Sequence, residues 1–143
     1  MGNCFGRSTI ICQEKLDYSG GNVHVITDKK SYDEEIAQSN EEGSIVVVNF
    51  SASWCAPCKV SAPLYAALST RHPSLVFLAI DVDELAELSS LWNIRATPSF
   101  LFLKDGKKLD MLEGSNKVEL EKKMVFFVDS LACQPQRIQD DVP

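Results

Sequence analysis

Cys55 and Cys58, separated by Ala56 and Pro57, have the clearest capacity for chemistry in this chain. They follow the apolar run 45–50 and begin a segment with a helical pattern, so the pair stands at the junction of a strand and a helix. The first turn of a helix carries unpartnered N–H groups and the positive end of the helix dipole. A thiolate is stabilised there, which predicts a pKa for Cys55 below that of a free thiol. Cys58, one turn further along, is placed to attack a mixed disulfide formed on Cys55.

Two other interpretations of the cysteine pair are weaker. Half of a zinc site would require a second Cys or His pair at ligand spacing. The remaining cysteines and the histidines stand far apart in the sequence: Cys4, Cys12, Cys133, His24 and His72. A structural disulfide across a two-residue gap would constrain the unfolded chain little. We therefore expect redox chemistry at this pair and no metal.

Composition limits the function classes. The chain has 143 residues, enough for one domain with tails, and a net charge of −6. Negative charge without a basic cluster argues against nucleic acid as a partner. No apolar run is long enough to cross a bilayer, and the first residues lack a secretory signal. We expect a monomer in the cytoplasm, where free thiols favour catalysis over framework disulfides.

The N-terminus suggests lipidation. Gly2 behind Met1 meets the first requirement for N-myristoylation, and Cys4 is a candidate for palmitoylation, although Gly6 stands where the motif prefers Ser or Thr. One acyl chain binds membranes only marginally, so firm anchoring would need both lipids. Lipidation would place the protein at the cytosolic face of the plasma membrane or endomembranes. An unmodified tail is the alternative.

The patterns predict a strand–helix–strand–helix–strand unit, then a helix, a β-hairpin and a closing helix. Continuous apolar runs at 45–48 and 75–80 indicate strands buried on both faces, as in a parallel sheet. The capping-box spacing from Ser31 to Glu34 predicts a helix that ends near Asn40. We expect a flexible N-terminal extension over residues 1–20, a domain over 21–130 in which the last helix ends near Ser130, and a disordered tail over 131–143.

With these features the chain resembles the thioredoxin family, and most closely the plant h-type group with an N-terminal Met-Gly-x-Cys extension. The resemblance covers about residues 21–130. It depends on four separate features: the motif Trp54-Cys55-Ala56-Pro57-Cys58-Lys59, Pro63 in the next helix, Ala96-Thr97-Pro98, and Gly114 after the hairpin. It implies an α/β thioredoxin fold, with a mixed, central five-stranded sheet flanked by four helices.

The resemblance also implies roles by position. Cys55 would be the attacking thiolate and Cys58 the resolving thiol. A flat apolar groove would receive the polypeptide of a target protein, lined by Trp54, Ala56, Pro57, Thr97, Pro98 and Gly114. Pro98 would be cis, so that the Thr97 backbone faces the cysteines and hydrogen-bonds an extended substrate.

Two positions depart from the family pattern and should modulate the cysteines, together with Lys59 beside them. Asn49 stands where most thioredoxins have a buried Asp, and Ala79 where many have a Lys on the neighbouring strand. The paired change is consistent, because a buried Lys without its carboxylate would be unfavourable. Asn49 cannot accept a proton from Cys58, and the absence of its negative charge should lower the pKa of Cys55.

The resulting hypothesis is a thiol-disulfide oxidoreductase that reduces disulfides in target proteins without a bound cofactor. By resemblance, electrons would come from an NADPH-dependent thioredoxin reductase. One rival takes electrons from glutathione or glutaredoxin. Another rival is a membrane-tethered binding module or holdase that uses the groove without turnover.

Overall fold

The structure, a computed structural model, describes the backbone of residues 15–140 and the side chains of residues 15–131. Its elements follow the predicted order, with strands and helices alternating before a β-hairpin and a final helix. The strands are β1 (Val23–Ile26), β2 (Ile45–Ser51), β3 (Leu75–Asp81), β4 (Ser99–Lys104) and β5 (Lys107–Glu113). The helices are α1 (Lys29–Glu42), α2 (Ala56–Arg71), α3 (Ala86–Leu91) and α4 (Lys117–Asp140).

The five strands form one mixed sheet in the order β1-β3-β2-β4-β5. β3 pairs in parallel with both β1 and β2, while β4 pairs antiparallel with β2 and β5. Every residue of β2, at the centre, is buried. This arrangement confirms the prediction that the continuous β-branched run forms a strand covered on both faces.

Each face of the sheet carries its own apolar core. Side chains alternate along a strand, so Val47 and Val48 of β2 point into different clusters. The first cluster joins the sheet to α2 and α4 through Tyr65, Leu120 and Met124. The second cluster joins it to α1 and α3, and its members include Tyr32, Phe50, Ile80, Leu88 and Leu101. The helices thus hold β2 and its C-terminal end in a fixed position between two layers.

Helix α1 begins earlier than its sequence pattern indicated. Asp28, and not Ser31, is the N-cap: its carboxylate accepts a hydrogen bond from the Ser31 backbone N–H at 2.8 Å. Aspartate is as good a cap as serine, and Asp28 stands three residues ahead of the N–H that it satisfies. Gly43 ends the helix in the left-handed conformation at φ 70°, which a glycine adopts without steric penalty.

At both ends, contacts or helix extend beyond the predicted domain of residues 21–130. Residues 15–20, assigned to the flexible extension, pack on the domain through Leu16 and Tyr18. Helix α4 continues ten residues beyond the predicted end at Ser130. Pro135 suggested an earlier end because it removes one helical hydrogen bond. The segment nevertheless lacks glycine and contains Leu, Ala, Gln and Arg, which favour a helix.

Candidate active site

The cysteine pair lies where β2 is followed by α2. Cys55 is the N-cap residue of α2, Pro57 stands in the first turn, and Cys58 is one turn into the helix. The Cys55 carbonyl accepts hydrogen bonds from the backbone N–H groups of Cys58 and Lys59 at 3.1 and 3.2 Å. Proline fits the first turn because no intrahelical partner awaits its missing N–H. This turn brings the two sulfur atoms to 2.7 Å from each other, both as free thiols.

The two thiols differ in burial and in acidity. Cys55 is 6% exposed and Cys58 is fully buried. Burial raises the pKa of Cys55. Hydrogen bonding from the side chains of Cys58 and Thr97 lowers it by more, so the pKa of Cys55 lies below its ordinary value. Burial and the hydrogen bond with Cys55 raise the pKa of Cys58 above its ordinary value. The pair therefore contains one thiol that ionises readily and one that holds its proton.

A loop before β4 faces the cysteines from the other side. The Thr97 carbonyl accepts a hydrogen bond from the Cys55 thiol at 3.5 Å, and the Thr97–Pro98 peptide bond is cis, as predicted. Gly114 follows β5, and its N–H donates to the Pro98 carbonyl at 2.8 Å. Gly114 has a φ of 96°, a conformation that side chains disfavour. Thr97, Pro98 and Gly114 are thus brought together opposite the cysteine pair.

The rim of the site is exposed and partly apolar. Trp54, Ala56, Pro57 and Lys59 are all exposed, and the Trp54 side chain keeps 57% of its surface accessible. The indole N–H of Trp54 donates to the Asp83 carboxylate at 2.8 Å. Val60, which the sequence did not single out, is 76% exposed in the same turn of α2. An exposed indole held by a carboxylate gives the site a flat apolar surface beside Cys55.

Asn49 and Ala79 lie on the buried side of the cysteine pair. They face each other in the parallel register of β2 and β3. The Asn49 amide oxygen accepts from the Ser51 hydroxyl at 2.7 Å, and its amide nitrogen donates to the Tyr18 hydroxyl at 3.2 Å. The Asn49 side chain is neutral, and both its oxygen and its nitrogen have a neutral hydrogen-bond partner.

Sequence reasoning missed Tyr18, Ser51 and the role of Asp83. The sequence could have indicated Ser51, because residues two apart on a strand share a face and Asn49 was already a candidate. No sequence pattern indicated Tyr18, since the segment around it lacks periodicity. Asp81, at the end of β3, accepts from the Asp83 backbone N–H at 2.7 Å, and the Asp83 carboxylate accepts from the Trp54 indole N–H. Both acids precede Leu85, the N-cap of α3.

Gly2, Cys4 and Cys12 are outside the described residues, as is the side chain of Cys133. Between residues 15 and 131, no group of three or more His, Cys, Asp or Glu side chains is arranged to hold a metal ion. No helix in the described part of the chain has the length and apolar character needed to span a membrane.

Comparisons with known proteins agree with this geometry. The family model described as Thioredoxin matches residues 23–125. Thioredoxin H4-1 of Oryza sativa subsp. japonica is 53% identical over 130 residues, covering 91% of this chain and 99% of that protein. Thioredoxin H9 of Arabidopsis thaliana is 49% identical over 139 residues, covering 96% of this chain and 99% of that protein.

Solved structures give the same result. The crystal structure of a poplar wild-type thioredoxin h superposes with a TM-score of 0.74 at 52% identity, covering 76% of this chain and 98% of that chain. A poplar thioredoxin h mutant superposes with a TM-score of 0.79 at 48% identity, covering 82% of this chain and 92% of that chain. Similarity at this level, together with the paired thiols, shows that the chain belongs to the thioredoxin family, in its plant h-type group, and is a thiol-disulfide oxidoreductase that reduces protein disulfides.

Proposed function

We propose that Cys55 attacks the disulfide of a target protein and that Cys58 resolves the mixed disulfide that results. In the first step the Cys55 thiolate forms a bond to one target sulfur, and the other target sulfur leaves as a thiolate. In the second step the Cys58 sulfur displaces the bound target sulfur. A disulfide forms between Cys55 and Cys58, the proton of Cys58 passes to the leaving thiolate, and the target receives two electrons in total.

The opposite pKa shifts of the two thiols carry this assignment. The attacking group must be ionised at neutral pH, and the pKa of Cys55 is lowered. The pKa of Cys58 is raised, so this thiol stays protonated and does not compete for the target. Their 2.7 Å separation allows Cys58 to reach the sulfur of Cys55 without a rearrangement of α2.

We propose that the target polypeptide binds in a groove between the cysteine motif and the loop before β4. The groove comprises Trp54, Ala56, Pro57, Thr97, Pro98 and Gly114. The exposed faces of Trp54, Ala56 and Pro57 supply apolar contact on one side. The Thr97 backbone, which already contacts the Cys55 sulfur, supplies polar groups for an extended chain on the other. Asn49, Ala79 and Lys59 modulate the cysteines without contacting the target.

The oxidised pair must be reduced again by an external donor, since members of this family need no bound cofactor. We propose an NADPH-dependent thioredoxin reductase as that donor, with glutathione and glutaredoxin as the second candidate. Insulin reduction measured with each donor in turn distinguishes them. Activity with NADPH and the reductase alone supports the first donor. Activity only after addition of glutathione and glutaredoxin supports the second.

We propose further that the protein works as a monomer in the cytoplasm and is held at the cytosolic membrane face by lipids on Gly2 and Cys4. The support is the Gly2 and Cys4 pattern in the sequence. The intact mass of the protein isolated from its native cells tests this directly. A mass that includes both acyl groups supports anchoring, and a mass without lipid contradicts it.

Trapping tests the proposed roles of the cysteines. The Cys58→Ser variant should retain target proteins as mixed disulfides on Cys55, because the resolving thiol is absent. The Cys55→Ser variant is the matched control and should retain none. Equal amounts of trapped protein on both variants, measured by non-reducing electrophoresis and mass spectrometry, would contradict the assignment.

A further inference from the structure

Three polar side chains form a buried cluster beneath Cys58. Asn49 and Ser51 are almost completely inaccessible, and Tyr18 reaches them from outside the sheet. The Ser51 hydroxyl donates to the Asn49 amide oxygen at 2.7 Å, and the Asn49 amide nitrogen donates to the Tyr18 hydroxyl at 3.2 Å. Inside a protein such connected bonds strengthen one another.

Tyr18 belongs to the N-terminal segment, which we define as residues 15–22. The segment contacts α2 at two positions. Its Asn22 N–H donates to the Ser69 hydroxyl at 2.7 Å. At Gly21 the backbone comes so close to α2 that an added Cβ would lie 2.5 Å from the Ala66 carbonyl oxygen. Only glycine permits this approach, so the segment has a defined path over the helix that carries the cysteines.

The same segment contacts the cysteines and their surroundings. Leu16 packs against the small cluster formed by Ala52, Cys55 and Cys58. The ring of Tyr18 meets the buried ring of Tyr65 edge-on, with 6.0 Å between the centroids. These contacts bury Tyr18 and raise its pKa to about 12, so its hydroxyl keeps its proton at neutral pH. The protonated hydroxyl is a neutral acceptor for the Asn49 amide.

Ser51 links the cluster to the resolving thiol. Hydrogen bonding from its side chain acts to lower the pKa of Cys58 against the larger effect of burial. The Ser51 hydroxyl has a single hydrogen, which Asn49 accepts in the structure. When Cys58 develops negative charge, that hydrogen must turn toward the sulfur. The hydrogen bond that Asn49 donates to Tyr18 fixes the amide oxygen that holds the Ser51 hydroxyl before it turns.

We propose that Tyr18 is a positioning residue for the resolving step, acting on Cys58 through Ser51 and Asn49. In that step the bond between Cys55 and the target sulfur breaks, the disulfide between Cys55 and Cys58 forms, and the Cys58 proton goes to the leaving target thiolate. Tyr18 neither gives nor takes a proton overall. It holds Asn49 and Ser51 oriented so that one hydrogen bond reaches the Cys58 sulfur as charge develops there. The inference rests on the roles proposed above for Cys55 and Cys58.

The test separates the two chemical steps in the full-length chain, with Cys4, Cys12 and Cys133 replaced by Ser. The oxidant is an aromatic disulfide whose leaving thiolate is coloured. Attack by Cys55 releases one coloured thiolate, and resolution by Cys58 releases the second, so stopped-flow absorbance gives both rates. Tyr18→Phe should slow the second release by about fivefold, the effect of losing one buried hydrogen bond, and leave the first release unchanged.

Tyr32→Phe is the matched control. It also removes one hydroxyl from a buried tyrosine, but Tyr32 lies in the core on the face of the sheet covered by α1 and α3. Both of its release rates should equal those of the parent protein. Ser51→Ala is a second variant that should slow the second release to a similar degree. Tyr18 and Ser51 are proposed to act through the same hydrogen bond to the Cys58 sulfur. The variant with both Tyr18→Phe and Ser51→Ala should therefore be little slower in the second release than either single variant.

The outcomes distinguish this inference from the roles on which it rests. If the parent protein shows no second release, the proposed role of Cys58 fails. If the parent shows two releases and Tyr18→Phe matches Tyr32→Phe in both rates, only the role of Tyr18 is overturned. Equal slowing of both releases by Tyr18→Phe also overturns it, because a general loss of structure would affect both steps.

Discussion

Asn49 on β2 and Ala79 on β3 are paired across the parallel register directly beneath the active-site cysteines. The family pattern described above has an acid at the first position and often a lysine at the second, and this chain carries neither charge at them. A neutral amide bonded to Ser51 and Tyr18 occupies it instead. The consequence is that no carboxylate at position 49 can accept the proton of Cys58.

The first prediction concerns this missing acid. Asn49→Asp should raise the pKa of Cys55, because a buried negative charge disfavours a second one nearby. The same carboxylate can accept the proton of Cys58, so the mixed disulfide should be shorter-lived. A thiolate absorbance titration measures the first effect. Asn49→Ser is the neutral control, and an identical Cys55 pKa in both variants would count against the charge argument.

A second prediction concerns the close approach at Gly21. In Gly21→Ala the new Cβ would meet backbone atoms of Ala66 at 2.5 and 2.8 Å, which cannot move aside as a side-chain end can. We expect a loss of about 1–3 kcal/mol in the free energy of unfolding, as for other overpacked sites. Denaturant unfolding measures it. Lys15→Ala, an exposed change in the same segment, is the control, and equal stability of the two variants would contradict the close packing described.

A third prediction concerns the hydrogen bond from Trp54 to Asp83. Asp83→Ala removes the acceptor of the exposed indole, and Asp83→Asn keeps an acceptor oxygen while removing the charge. If the bond orients Trp54 for target binding, Asp83→Ala should lower kcat/KM for a protein disulfide by about threefold, the size of one modest hydrogen bond. Asp83→Asn should lower it less. Equal losses of kcat/KM in both variants would show that the charge of Asp83, and not the hydrogen bond, causes the effect.

The sequence contained enough information for the order of elements and for the central site. The β-branched run in β2, the cysteine motif and the Thr97-Pro98 pair each carry a local signal, and the structure places all three together. The apolar strands predicted a parallel unit because strands buried on both faces have that pattern. The position of Ala79 beside Asn49 followed from the family resemblance.

The remaining features depend on long-range contacts that leave little trace in a local pattern. Tyr18 is 31 residues from its partner Asn49, and nothing around it alternates or repeats. Trp54 and Asp83 are 29 residues apart and belong to different loops. The extension of α4 beyond Ser130 passes a proline that usually marks a helix end. Each of these features needs the assembled fold to bring its residues together.

Alkylation at neutral pH tests the central claim, the unequal acidity of Cys55 and Cys58, in a chain whose other three cysteines are replaced by Ser. Thiolates are alkylated and thiols are not, so the lowered pKa of Cys55 and the raised pKa of Cys58 set the two rates. The Cys55 rate should rise with pH through an inflection below the ordinary thiol value of 9.0. At neutral pH, peptide mapping should show Cys55 modified several times faster than Cys58, because only the pKa of Cys55 is lowered. Equal rates for the two thiols would contradict the account.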